Sequence, residues 1–261
     1  MEESETVDRN FLKTLARGLD LIKSFGNDTP GMTLSEVARK NGMSRASARR
    51  FLITLQKLGY VIKSGDHFQL TAKILEIGHQ YLANLNFVEV ITPLMREVSR
   101  NLNKSCSASV LDGSDIIYIV RIPSRHQILS VTLNIGSRLP AYCTSMGRVL
   151  LGNLSDRELD EYFRNTEIIA RTSRTITDTG ELRKIIKKVK RDGYCIVNQE
   201  LEENLCSIAV PVRNGEGRIL CAINLGMPVG QDQDKEIRSG YLPTLKKAAI
   251  RAEELLAHYP H

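Results

Sequence analysis

The chain has 261 residues, 42% hydrophobic and 25% charged, an ordinary balance for a folded protein of one or two domains with a sizeable core. Its net charge of +6 permits a polyanionic partner, although only a local concentration of that charge would point to one. The five cysteines, an odd set without C-x-x-C spacing, indicate a reducing cytoplasm; the acidic opening is unlike a signal peptide, and no apolar run approaches the roughly 18 residues of a membrane span.

Leu12, Leu15, Ala16, Leu19 and Ile22 recur at helical intervals, which predicts an amphipathic helix ended by FGNDTPG. Thr33 and Glu36 form a T-x-x-E capping box, in which hydroxyl and carboxylate each satisfy a free backbone donor at a helix start. Gly42 stops this short helix. Ser44 can cap the next, whose Ala48, Phe51, Leu52, Leu55 and Leu58 share one face. Two helices joined by a tight Gly turn, with Val37, Met43, Ala48 and Phe51 as a small core, predict a helix-turn-helix. The opposite face carries Ala46, Arg49, Arg50, Ile53 and Lys57, with Ser44, Arg45 and Ser47 at its amino end. A basic, small-residue start ahead of a buried stripe suits a recognition helix in the major groove of double-stranded DNA. YVIK and HFQLT around SGD predict a hairpin wing, with Lys63 and His67 able to reach the backbone or minor groove. The candidate DNA contacts are therefore Thr33, Ser44, Arg45, Ser47, Arg49, Arg50, Lys57 and Lys63. The alternative is a solvated basic helix in an unrelated helical domain.

LTAKILEIGHQYLANL continues as a helix with Ile74, Ile77, Tyr81, Leu82 and Leu85 on a broad stripe, and VEVITPLMREVSRNL predicts another. The period then changes to two. SCSASVL and IIYIVR flank a DGSD turn as a hairpin, and QILSVTLN continues the strands. SDRELDEYF and DTGELRKIIKKVKRDG open on capping boxes and read as helices. YCIVN, LCSIAVPVR and RILCAINLGM return to strands, and KEIRSGYLPTLKKAAIRAEELLAHY closes as a helix. The expected class is α+β: a winged helix-turn-helix domain over residues 10–71, a linker helix over 72–86, and an effector domain over 87–261 with helices on the faces of an antiparallel sheet.

Motifs for catalysis are missing. H-E-x-x-H, G-x-S-x-G and the phosphate-binding loop are absent, and the lone GxG at Gly215 to Gly217 sits in a hairpin turn. His126 alone in the body of the second half leaves little material for Cys-His catalysis or a metal site, so neither cofactor nor metal is expected. Two rivals remain: an enzyme with Cys143 or Cys206 as nucleophile, and a redox sensor using the same thiols. RLPAYCTSMGRVLL places Thr144, Ser145 and Gly147 at the start of an apolar helix, where backbone donors could hold a carboxylate; the same residues could simply cap it. NQELEENLCSIAVP sets Asn198, Gln199, Glu200, Glu202, Glu203 and Asn204 between strands, as a second polar lining or a solvated loop.

KTLARGLDLIKSF, TLSEVARKNGMSRASARRFLITLQKLGYV, LTAKILEIGHQYL, GSRLPAYCTSMGRVLL and GYCIVNQELEENLCSIAVPV together resemble the IclR family of bacterial transcription regulators over nearly the whole chain. RASARRFL and LPAYCTSMGRVLL look closest to the branch controlling protocatechuate, 4-hydroxybenzoate and β-ketoadipate catabolism. The resemblance implies a winged helix-turn-helix homodimer or dimer of dimers with a GAF-like or PAS-like effector domain, not an enzyme and not a membrane protein. It also implies that a small organic acid binds between sheet and helix at Ala141, Thr144, Ser145, Met146 and Gly147, at Leu205 and Ser207, and at Asn224 and Gly226. Many relatives have Gly where this chain has Asn204, which would add bulk near the mouth.

Overall fold

A computed structural model describes residues 11–26, 29–124, 133–230 and 233–257. The chain divides into two compact units between Asn84 and Leu85.

The first unit contains α1 (Lys13–Ser24), β1 (Met32–Thr33), α2 (Leu34–Lys40), α3 (Arg45–Lys57), β2 (Val61–Ser64), β3 (His67–Leu70) and, after a 3-10 turn at Ala72–Ile74, α4 (Leu75–Ala83). Local chemistry sets the boundaries. Thr33 Oγ1 accepts from Glu36 N while Glu36 Oε2 accepts from Thr33 N at 2.7 Å, so the capping box is formed at α2. Gly42 takes φ +55°, a left-handed conformation a side chain would resist, and Met43 N donates to Ala38 O as the chain reverses. Ser44 then caps α3, accepting from Ser47 N at 3.2 Å. Leu21, Val37, Ala48, Leu52, Val61 and Phe68 pack as the core.

Three features refine the sequence expectation. The amphipathic stripe of α1 is only partly covered: Leu12, Leu15 and Leu19 are exposed, Ile22 packs against the core, and Leu21 and Phe25 are buried. The expected wing hairpin forms, β2 pairing with β3 from Val61↔Leu70 to Ser64↔His67, and β1 joins it through Met32↔Phe68 and Thr33↔His67 to make a three-stranded sheet. The helix after the wing stops at Ala83 rather than running to residue 86, and none of its residues is buried within its own unit.

The second unit begins with α5 (Phe87–Leu102) and continues through β4 (Ser105–Asp112), β5 (Asp115–Ile122), β6 (Arg138–Pro140), α6 (Ser145–Leu151), α7 (Asp156–Asn165) and α8 (Thr179–Asp192). It ends with β7 (Cys195–Asn198), β8 (Leu205–Arg213), β9 (Ile219–Pro228), α9 (Gln233–Glu236), a π-turn at Ile237–Tyr241 and α10 (Leu242–Leu256). The six strands form one antiparallel sheet in the order β6-β5-β4-β9-β8-β7. Alternation divides its side chains between two cores: Cys106, Ala108, Ile223 and Leu225 pack with α5 and α10, while Ala209, Ala222 and Val197 pack with α6, α7 and α8. The short β6 was not legible as a strand. The strand expected over QILSVTLN lies mostly outside the described residues, as does His126, and its described end, Leu133 and Asn134, is irregular. Among the described residues no helix is long and apolar enough to cross a membrane.

Candidate functional site

In the first unit, Thr33, Arg45, Arg49 and Lys63 line one concave face together with Ser35, Ile53, Gln56 and Asp66. β1 brings Thr33 beside the wing, and α3 supplies Arg45, Arg49, Ile53 and Gln56 at successive turns of one side. Arg50 and Lys57 are exposed but do not line this concavity. The Ser44 hydroxyl is engaged at the helix cap and donates to Ser47 Oγ at 3.1 Å, which makes this pair a fixed frame for the helix start. A concave face carrying three cations and several neutral hydrogen-bonding groups suits a phosphate-lined groove.

The second unit encloses a cavity between α6 and the sheet, with an empty volume of about 630 Å³ that includes its opening to solvent. Cys143, Thr144, Ser145 and Met146 line it from the α6 side, and Leu201 and Leu205 from the β7–β8 connection. Ser105, Ser107, Tyr118, Arg121, Val197, Ser207, Asn224 and Gly226 line it from the sheet. Two of its polar atoms, Ser145 Oγ and Asn224 Oδ1, are buried without a hydrogen-bond partner among the described residues. Such orphans are uncommon in folded proteins, because each leaves the desolvation of a polar group uncompensated; they are expected where a ligand or water completes the site.

Ala141 and Gly147 stand behind the lining. A Cβ on Gly147 would come within 2.1 Å of Ala141 O, so the glycine lets α6 close on that backbone. Thr144 acts as the helix cap, accepting from Gly147 N at 3.1 Å. Asn204 is exposed, takes φ +60° and does not line the cavity, so its place is one that a left-handed turn assigns to Gly or Asn.

Every residue of α6 is buried, including Arg148. A guanidinium there needs a partner, and Glu200 provides one: Nη1 to Oε1 at 2.7 Å and Nη2 to Oε2 at 2.5 Å, with Nε donating to Tyr142 O at 2.8 Å. Glu200 also accepts from Ile176 N, while Thr175 Oγ1 donates to its carbonyl at 2.6 Å. The polar loop between β7 and β8 is therefore not merely solvated; its Glu200 bolts the cavity helix to its surroundings.

The rival chemistry of the cysteines finds poor conditions. All five are buried free thiols. Burial pushes the thiols of Cys143 and Cys206 up to about 11, so the nucleophilic thiolate is disfavoured in both. Among the described residues, no group of three or more His, Cys, Asp or Glu is placed to hold a metal ion.

The model of the IclR helix-turn-helix domain matches residues 14–64, and that of the bacterial transcriptional regulator IclR C-terminal domain matches residues 79–252. This chain belongs to the IclR family. The Pca regulon regulatory protein of Pseudomonas putida is 39% identical over 244 residues, covering 94% of this chain and 84% of that protein. A crystal structure described as a transcriptional regulator from Rhodococcus sp. RHA1 superposes with a TM-score of 0.82 at 43% identity, over 95% of this chain and 99% of that one. An IclR homologue from Microbacterium hydrocarbonoxydans, solved with 4-hydroxybenzoate, has a TM-score of 0.82 at 22% identity, over 94% and 100% of the two chains, which establishes the shared fold. The chain is thus a transcriptional regulator of IclR type, with relatives that regulate aromatic catabolism, and its helix-turn-helix domain is a DNA-binding one.

Sequence reasoning missed Ser105, Ser107, Tyr118 and Arg121 in the cavity. The serines carried a signal, since alternate residues of SCSASVL place Ser105, Ser107 and Ser109 on one face, and all three are buried. Arg121 carried none, because a β-bulge decides which way it points.

Proposed function

We propose that the protein is a cytoplasmic, ligand-responsive regulator of an aromatic-acid catabolic operon of the protocatechuate/β-ketoadipate type, with a small organic acid as effector bound between α6 and the sheet. The observation that carries this reading is the cavity in which Ser145 Oγ and Asn224 Oδ1 lie buried without partners among the described residues. The P. putida relative's name and the 4-hydroxybenzoate in the structural neighbour agree in the chemistry they suggest. Met146, Leu205 and Val197 offer the apolar lining that a compact ring or chain needs.

On this reading the winged domain spans residues 10–71, residues 72–86 link it to an effector domain over 87–261, and Arg45, Arg49 and Lys63 contact double-stranded operator DNA. The exposed Leu12, Leu15 and Leu19 of α1 and Leu75, Ile77 and Tyr81 of α4 form apolar surface suited to a homodimer or dimer of dimers. A symmetric dimer presents two equivalent recognition helices, so footprinting should show matched half-sites; full-affinity binding of monomer to a single half-site would contradict it. An acid that favours one arrangement of the dimer shifts its equilibrium and with it the spacing of those helices.

A thermal-shift titration of the purified protein with protocatechuate, 4-hydroxybenzoate and β-ketoadipate tests the effector class. A native-specific ligand at a hundred times its Kd adds about 2.7 kcal/mol of stability, a readily measured rise in Tm. A rise with an unrelated class of molecule and none with these acids would overturn the assignment.

A further inference from the structure

β4 and β5 pair through Ala108↔Val120 and then Ser109↔Tyr118, leaving Ile119 as the extra residue of a β-bulge. A bulge reverses the side-chain parity of the strand beyond it. Without it, a strand that points Tyr118 at α6 would point Val120 and Ile122 the same way and Arg121 to the opposite face. With it, Ile119, Val120 and Ile122 join the core on the α5 and α10 side, and Arg121 comes to the cavity beside its cross-strand partner Ser107.

Arg121 Nη1 donates to Ser107 Oγ at 3.0 Å, and among the described residues the guanidinium forms no ion pair with a carboxylate. Among the described residues the cavity lining contains no Asp or Glu. Among the described residues Arg121 is its only cation, and a half-buried guanidinium without a carboxylate partner in such a wall is poised to receive an anion. The other unsatisfied groups are neutral. Asn224, the next cross-strand partner of Ser107 on β9, leaves its amide oxygen unmet, and Ser145 faces the cavity from α6. A hydroxyl, which both donates and accepts, satisfies either of them; a second carboxylate, which only accepts, meets no further cation among the described residues and would lose its hydration for a neutral wall. The α6 start is a weaker anchor for the acid, because Thr144 already occupies the Gly147 amide.

We infer that Arg121 is the counter-ion for a single carboxylate of the effector and that Asn224 and Ser145 receive its hydroxyl, so that the cavity selects a hydroxylated aromatic monocarboxylate over a dicarboxylate. This deepens the proposed function and rests on the cavity being the effector site.

Isothermal titration of the full-length protein with 4-hydroxybenzoate, 4-hydroxybenzamide, benzoate and β-ketoadipate tests it. A charge-assisted contact should make the acid bind about tenfold or more tighter than its amide. Arg121→Gln should erase that difference, and Asn224→Leu should erase the advantage of 4-hydroxybenzoate over benzoate. The acid–amide comparison within the wild-type protein needs no variant to fold. Retention of the acid preference by Arg121→Gln, equal binding of acid and amide by the wild type, or tighter binding of β-ketoadipate than of 4-hydroxybenzoate would overturn the inference. If the acid binds but Ser145→Leu, which fills the cavity, leaves its affinity unchanged, the cavity is not the effector site and the broader reading fails with it.

Discussion

The two units handle polar groups in opposite ways. In the winged unit the cations stand in water on a concave face, and the Thr33 and Ser44 hydroxyls and the Glu36 carboxylate near them are satisfied within three residues by helix caps. In the effector unit the comparable groups of the cavity wall are buried: Arg148 finds Glu200 across 52 positions of sequence, and Ser145 Oγ and Asn224 Oδ1 have no partner among the described residues. A surface meant for DNA, whose phosphates remain hydrated until contact, needs only to be rigid and positive. On the proposed reading the cavity takes one small molecule and has to discriminate, for which specific buried groups left incomplete are suited.

Breaking the buried side of this contrast should have the largest effect. Glu200→Ala strands the Arg148 guanidinium beneath α6, and urea unfolding should show a loss of about 3–5 kcal/mol. A loss well below that would mean water reaches the pair. Next comes the exposed side. Arg49→Ala should weaken operator binding by about 1–3 kcal/mol in a mobility-shift titration, and by more than Arg50→Ala, because Arg49 lines the concave face and Arg50 does not. The reverse order would place the DNA on another side of α3. Ser155→Ala removes the cap of α7, where Ser155 Oγ accepts from Glu158 N and Glu158 Oε2 from Ser155 N; calorimetry should register about 1 kcal/mol. The smallest effect concerns the thiols. With Cys143 and Cys206 held up to about 11, the folded protein binds their protons more tightly than the unfolded chain, so this contribution is intact below the unfolded pKa and stability falls as pH rises above roughly 9. Alkylation near neutral pH should accordingly be slow in the native protein and fast in urea, whereas rapid native labelling of Cys143 would revive a reactive-cysteine role.

The same contrast explains what could be read from the sequence. Thr33 with Glu36, Gly42, and Ser44 act within a few residues of chain, so the helix-turn-helix was legible down to its caps. The strands of the second unit were legible from alternation, and Thr144, Ser145, Met146, Leu205, Ser207, Asn224 and Gly226 do line one cavity. Arg121 was not legible because a single bulged residue, Ile119, inverts the parity that alternation assumes. Glu200 was read as loop or lining because its partner lies on a distant helix. The α1 stripe was legible as amphipathic, but its period does not say which of its residues meet the core: Ile22 does, and Leu12, Leu15 and Leu19 stay exposed.

The central claim is that an acid in the α6 cavity changes how the winged unit binds DNA. Operator affinity measured by fluorescence anisotropy, with and without saturating 4-hydroxybenzoate or protocatechuate, tests it most directly in wild-type protein and Ser145→Leu. Allosteric coupling of ordinary size would change the wild-type affinity by about 5- to 150-fold. In Ser145→Leu, the acid should produce no change. An equal response in both proteins, or none in the wild type while the acid demonstrably binds, would contradict the account.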